Sequence, residues 1–258
     1  FIASWMSGWQ PISRVKTTGD YPMNKKIANE VISYIERNRV SSVEVADALN
    51  KTGVLEGLKI LNSGHFVAGR ISYFHADDES NWSFHEQIQN VQEGSLAYID
   101  AINCKNRAVC GDLVIKYLVL YKKVKGIIVN GYLRDAHRLR KENYPIWCKG
   151  VTPLGCFNHK VKRNKESSDF ISNNINLFNG AIMVCDDSGC TLIEKKHIQK
   201  NLIKKLEFIE LQEYIWYFCI DTLKLSTYEA ICMKKYLNDD AFLPENLKKK
   251  LLELKKKI

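Results

Sequence analysis

The stretch GIIVNGYLRD (126–135) decides the fold. Gly126 to Asn130 is a short apolar run bounded by glycine, the pattern of a buried strand and not of a half-exposed helix. Gly131 is expected to turn the chain, which brings Arg134 and Asp135 to the rim. A second buried strand, SLAYIDA (95–101), precedes it. Between the two, Cys110 to Lys123 reads as a helix opening at Gly111. Asp135 to Asn143 reads as another helix, and Pro145 to Lys149 as a third strand. Strand and helix thus alternate from about residue 95 to 150. That order predicts the α/β class with a parallel βαβ core.

Outward from this core, Ile27, Val31, Tyr34 and Ile35 recur at helical spacing, so a helix is expected over about 24–38. Ser41 and Ser42 precede Glu44, a cap for a second helix reaching about Leu49. Phe66 to Phe74 alternates as a strand, and Asn81 or Ser83 opens a helix through Val91. Residues 158–176 are rich in Asn, Ser and Lys and read as a loop or edge insert. Ala181–Cys185 and Cys190–Ile193 read as strands around the turn Asp186-Asp187-Ser188-Gly189. From Glu194 onward the pattern is helical. The tail LKKKLLELKKKI (247–258) reads as an amphipathic helix with a solvated lysine face. Three regions follow: an N-terminal arm (1–23, with Trp5, Trp9, Pro11 and Pro22), a central domain (24–193) and a C-terminal helical extension (194–258). Met23 would make a natural alternative start. The arm has no basic start followed by an apolar core, so it is not read as a signal peptide.

Composition sets bounds on function. Of the 258 residues, 45% are hydrophobic and 26% charged, a globular balance that excludes a disordered or collagen-like chain. No apolar run approaches the ~18 residues of a membrane span. The net charge of +9 permits an acidic partner and names none. None of the eight cysteines forms a CxxC pair. Most sit in apolar segments, so reduced, structural thiols in a cytoplasmic protein are expected.

Ligands of open α/β sheets collect at the carboxyl ends of the strands, and two segments put polar groups there. In RAVCGDLV (107–114), Gly111 allows close backbone approach, and the N–H groups of Leu113 and Val114 would face the cleft as an anion site. Asp112 by itself reads first as a structural partner for the helix dipole. In the second segment Arg134 offers a fork for a carboxylate or keto oxygen. Asp135 offers a hard oxygen ligand for Mg²⁺, unless it simply caps a helix beside a surface Arg. Elsewhere, His75-Ala-Asp77-Asp78 reads as a solvated turn before a metal site. His85, on the expected helix near the cleft, reads as a packed or supporting histidine before a catalytic one, and Asp186-Asp187 as a hairpin turn and not a calcium site. Lys122, Lys123 and Lys125 are not placed for a Schiff base. No phosphate loop, HExxH or GxSxG occurs.

GHFVAGR (64–70), the helix around His85, RAVCGDL (107–113), GIIVNGYLRD (126–135), GVTPLG (150–155) and CDDSG (185–189) occur in this order, with SSVEVADALN (41–50) ahead of them. Together they resemble the RraA-like family, which contains 4-hydroxy-4-methyl-2-oxoglutarate aldolase and the ribonuclease E regulator RraA. The resemblance covers about 24–235. It implies an α/β sandwich assembled as a homotrimer or homohexamer, with sites near subunit interfaces. By the aldolase pattern, Asp135 ligates Mg²⁺ or Mn²⁺ and Arg134 contacts the keto acid and its enolate. Asp112 then orients or deprotonates a metal-bound water, and the amides of Leu113 and Val114, after Gly111, bind the pyruvyl carboxylate. The regulator pattern lacks the Asp after its Arg, so keeping both Asp112 and Asp135 favours the enzyme branch. Two departures stand out. Arg138 replaces an acid three positions after Asp135, and Asp100-Ala101-Ile102 replaces a Gly-Gly.

The expected function is therefore a divalent-metal-dependent lyase acting on a small 2-oxo acid. It would cleave a 4-hydroxy-2-oxo acid to pyruvate, or decarboxylate oxaloacetate, through pyruvate enolate. The alternatives are a non-catalytic regulator of an RNA-processing enzyme and an aldolase-like enzyme acting on a sugar acid. Neither membrane nor nucleic acid is an expected partner.

Overall fold

The computed structural model describes residues 25–163, 165–238 and 243–256. The expected arm over 1–23 lies outside them. Eight strands form one mixed sheet: β1 (Lys59–Ile60), β2 (Val67–Asp77), β3 (Leu96–Ile102), β4 (Ala108–Cys110), β5 (Gly126–Leu133), β6 (Ile146–Val151), β7 (Ile182–Asp186) and β8 (Gly189–Ile193). Their order is β1-β6-β5-β3-β2-β7-β8, with β4 beside β5. Strands β2, β3, β5 and β6 run parallel, as the alternating pattern predicts, whereas β1, β7 and β8 join antiparallel.

Side chains of β5 divide the interior. Ile127 and Val129 face one layer, with Phe74, Ala97, Ile99 and Ile146. That face is covered by α3 (Trp82–Gln87), α4 (Asp112–Lys116, continuing as a π-helix through Tyr121) and α5 (Ala136–Glu142). Ile128 faces the other way, with Tyr73, Tyr98, Trp147 and Phe178. A strand buried on both faces reads as a continuous apolar run, which is why GIIVN carries the signal. Helices α1 (Lys25–Asn38) and α2 (Ser42–Ala48) pack with the first half of α7 (Lys200–Asp221) on Ala68, Ile182, Val184 and Ile193. Ser41 caps α2 as expected: its hydroxyl accepts the Glu44 N–H, and the Glu44 carboxylate accepts the Ser41 N–H. The second half of α7 packs with α9 (Glu245–Lys255) through Leu211, Ile215, Leu251 and Leu254.

Three local readings are corrected. Residues 158–176 are not a plain loop, because Lys165–Phe178 form α6. The apolar stripe of α6 is narrow, Ile171, Ile175 and Phe178, and polar residues between its members mask it. Cys110 belongs to strand β4, so the following helix starts at Asp112. Gly131 does not end its strand, since β5 continues through an irregularity to Leu133. All eight cysteines are free, and six of them are buried.

The replacement of Gly-Gly by Asp100-Ala101 has a structural partner. Asp100 is buried and accepts hydrogen bonds from Tyr73 Oη (3.2 Å), Asn130 Nδ2 (2.8 Å) and Asn174 Nδ2 of α6 (2.8 Å). The methyl of Ala101 fills the space a Cβ on Gly131 would need. Gly131→Ala should therefore destabilise the fold by about 1–3 kcal/mol through overpacking. Adding Ala101→Gly should recover most of that loss in urea denaturation. Equal destabilisation with and without Ala101→Gly would refute the contact.

Candidate active site

The cleft arises where β5 changes partners. It pairs with β3 as far as Asn130 and with β4 at Tyr132 and Leu133. The Arg134 N–H then donates to the Cys110 carbonyl (3.1 Å), which holds the ends of β4 and β5 together. Both α4 and α5 start at these ends. The result is a cavity of about 230 Å³ lined by Gly111, Asp112, Leu113, Val114, Arg134 and Asp135, all six residues singled out from the sequence. The same cavity takes in Asn81 and His85 from α3 and its start, and Gly155, Cys156 and Asn158 from the following loop.

Asp135 precedes α5 with φ +60°, a left-handed conformation uncommon outside glycine, and its side chain makes no capping hydrogen bond. The simple capping role is thereby set aside. Its Oδ2 accepts the Asp112 N–H at a long 3.3 Å and lies 3.6 Å from Arg134 Nε. Glycine at 111 is a matter of space: a Cβ there would collide with Asp135 Oδ2 and lie 2.9 Å from Arg134 Cγ. Gly155 does the same for the arginine, since a Cβ there would lie 2.8 Å from Arg134 Nη1.

One expectation changes. The Leu113 N–H does not stand free for a ligand, because it donates to Asp112 Oδ1 (2.9 Å). The other carboxylate oxygen of Asp112 accepts from Arg138 Nη1 (2.9 Å). The Arg138 hydrogen bond, more than any other contact, holds the Asp112 carboxyl below its usual range, and Asp112 raises Arg138 in return. Two carboxylates, Asp135 and Asp112, thus line the cleft between two guanidinium groups, Arg134 in the lining and Arg138 beside Asp112.

His85 is half-buried, and desolvation lowers its pKa, which favours the neutral ring. The carboxylate of Asp186 is spent on the Ser42 N–H and hydroxyl and on the Ser188 N–H, in keeping with a hairpin turn. Lys122 reaches the Gln89 carbonyl, Lys123 pairs with Glu93, and Lys125 pairs with Glu36. No lysine lines the cleft among the described residues. Nor do any three His, Cys, Asp or Glu side chains among them form a metal-holding group. Asn81, His85, Gly155 and Cys156 were not chosen as site residues from sequence, because they come from segments remote from the two motifs. GVTPLG, which ends in Gly155, and the helix around His85 were the available pointers.

The reading of His75-Ala-Asp77-Asp78 as a solvated turn is wrong for its first and third members. His75 and Asp77 are buried at 5% and 2% exposure. Asp77 accepts from His75 Nδ1 (3.1 Å), Ser83 Oγ (2.7 Å), and Arg163 Nε (2.8 Å) and Nη2 (3.0 Å). Burial opposes its ionisation, but hydrogen bonds from His75, Arg163 and Ser83 together outweigh it and hold the carboxyl well below its usual range. Its folded pKa is below the unfolded value of 3.8, so it adds stability above that pH and loses it as the pH falls further. Asp77→Asn should cost about 3 kcal/mol at neutral pH. It should also flatten the acid side of a stability-against-pH curve below about pH 4, where the wild type falls steeply. An unchanged acid limb would show that Asp77 does not carry this dependence.

Comparison with known proteins agrees with this architecture. The family model described as "RraA-like: Aldolase/RraA" matches residues 42–192. "Protein DlpA" of Legionella pneumophila is 29% identical over 182 residues, 67% of this chain and 29% of its own length. The chain thus spans under a third of that relative. A protein of Halalkalibacterium halodurans named "Putative 4-hydroxy-4-methyl-2-oxoglutarate aldolase" is 25% identical over 62% of this chain and 75% of its own. An uncharacterized protein from Pseudomonas syringae superposes with a TM-score of 0.58 at 22% identity, covering 76% of this chain and 94% of that one. Streptomyces coelicolor RraAS2, described as an unusual member of the RNase ES inhibitor RraA protein family, gives 0.56 at 23% identity, covering 72% and 96%. Among the described residues no helix is long and apolar enough to cross a membrane.

Proposed function

The chain belongs to the RraA-like family, and we propose that it is a lyase that cleaves a 2-oxo acid through pyruvate enolate, with Mg²⁺ or Mn²⁺ held at Asp135. The observation that carries this reading is the meeting of Asp112, Arg134 and Asp135 in one cleft, with an Asp135 carboxylate that caps no helix. Such a carboxylate suits a divalent cation. It is a hard oxygen donor that accepts one long hydrogen bond, from the Asp112 N–H, and lies in loose contact with Arg134. One carboxylate together with waters and substrate oxygens is an ordinary way to hold Mg²⁺. A bound cation would act as a Lewis acid toward the 2-oxo group.

The protein's own residues do the rest. Arg134 supplies a fixed positive charge where the oxo oxygen gains negative charge. Gly111 and Gly155 leave the room that this arginine and Asp135 occupy. In retro-aldol cleavage the C3–C4 bond breaks, its electron pair passes into the enolate, and the 4-hydroxyl loses its proton. Asp112, kept ionised by Arg138, is the carboxylate available to accept that proton. The enolate then takes a proton at C3 to give pyruvate. The proposal includes a homotrimer or homohexamer, in which a neighbouring subunit would cover the exposed Leu113, Leu154 and Phe157 at or beside the rim.

The test is pyruvate release from oxaloacetate and from 4-hydroxy-4-methyl-2-oxoglutarate, with Mg²⁺ or Mn²⁺ and then with chelator. Turnover on at least one should require the metal. Asp135→Ala should lower kcat at least about 100-fold and abolish metal binding measured by calorimetry. Turnover that survives both chelation and Asp135→Ala would overturn the mechanism.

A further inference from the structure

Two cysteine side chains meet beside the cleft. Cys156 is half-buried and lines the cavity. Cys104 is buried in the apolar cluster against which Cys156 packs, and the two thiols are in hydrogen-bonding contact. Backbone bonds at the start of β4 hold both. The Cys104 carbonyl accepts the Arg107 N–H (3.0 Å), and the carbonyl of the next residue, Ala108, accepts the Cys156 N–H (3.0 Å).

The two sulfurs are not equivalent. The contact with Cys104, helped by the positive charge of Arg107, holds the Cys156 thiol below its ordinary value although burial and Glu79 oppose this. Arg107 is fixed in place for that role. Its Nε donates to Glu79 (2.6 Å), its Nη1 to the Gly155 carbonyl (2.9 Å), and its guanidinium lies over the Phe157 ring (4.2 Å). At Cys104 the same thiol contact and burial act the other way and keep the proton on sulfur. A thiolate-prone sulfur thus lines the cavity, and a protonated sulfur touches it from the core. That is the arrangement in which an oxidised thiol is resolved by its neighbour.

A second thiol pair provides the contrast. Cys185 and Cys190 face each other across the β7–β8 hairpin. They are 0% and 1% exposed, and burial pushes the Cys185 thiol up. Proximity is common to both pairs, whereas access and thiolate character belong to Cys156.

We propose that Cys156 and Cys104 form a peroxide-reactive dithiol beside the cleft, with Cys156 as the attacking sulfur and Cys104 as the resolving one. The Cys156 thiolate attacks one oxygen of hydrogen peroxide and the O–O bond breaks. The departing hydroxide takes up a proton to become water, and Cys156 is left as a sulfenic acid. The Cys104 sulfur then attacks the Cys156 sulfur and the S–O bond breaks. The second hydroxide leaves as water with the Cys104 proton. Two thiols have given two electrons to the peroxide, and a disulfide has formed. That bond would tie the loop carrying Gly155, which lies against Arg134, to the turn before β4. The inference does not depend on the lyase reading, and its test needs no turnover.

The experiment treats the reduced protein with hydrogen peroxide, unfolds it in N-ethylmaleimide and maps the peptides by mass spectrometry without reduction. The first product should be a peptide pair linking Cys104 to Cys156, reversed by dithiothreitol, while Cys185 and Cys190 are recovered as thiols. Cys104→Ser should stop at a Cys156 sulfenic acid that dimedone traps. Cys156→Ser should slow peroxide consumption at least about tenfold. The linkage is read on the wild type, so a variant that fails to fold does not decide the matter. Cys156 oxidised with Cys104 still a free thiol, or first reaction at Cys232 or at the hairpin pair, would overturn the inference.

Discussion

The Asp135 carboxylate occupies the space that a side chain at residue 111 would fill, and the architecture of the cleft depends on that exclusion. Strands β4 and β5 end side by side, locked by the Arg134 N–H on the Cys110 carbonyl. Each continues at once into a helix, so two helix starts and two polar pairs, Gly111-Asp112 and Arg134-Asp135, are forced together. Only glycine at 111 lets the second pair turn inward over the first. The left-handed backbone at Asp135 is the local cost of that turn, and it releases the carboxylate from the capping role its position would otherwise assign.

What sequence could reveal here follows the range of each interaction. GIIVN, SLAYIDA and the alternation around them needed only neighbours along the chain, and the parallel core is where they put it. The capping box at Ser41 and Glu44 is equally local. Helix α6 escaped because three apolar residues at helical spacing were outvoted by the Asn, Ser and Lys between them. Asn174 in that polar background reaches inward to Asp100, a contact no local pattern announces. Asp77 escaped for a related reason: its neutralising partner, Arg163, is 86 residues away, so it looked like an exposed acid.

The site divides in the same way. Gly111, Asp112, Arg134 and Asp135 sit in two short motifs and were legible. The opposite wall was less so: His85 was expected near the cleft, but Asn81 and Cys156 are held there by hydrogen bonds to Val109 and Ala108 of β4, a strand the sequence did not announce. Once β4 is a strand, its pairing with Gly155 through Ala108 brings the later loop against Arg134. Missing one short strand thus hid the placement of Asn81 and Cys156.

That division bears on function. The charged wall is built from chain segments fixed by the sheet, and it carries the groups suited to a carboxylate, a metal and an enolate. The opposite wall comes from a short helix and a loop, and loops vary more freely than the elements they connect. A fold does not specify a substrate, and sites grafted onto it do. Arg138 illustrates the point from the charged side, since a cation facing Asp112 reverses the sign of the acid that the family pattern carries at that position. Arg138 engages Asp112, and the Arg134 guanidinium lies against Gly155 of the later loop, so one lining cation reaches both walls of the cleft.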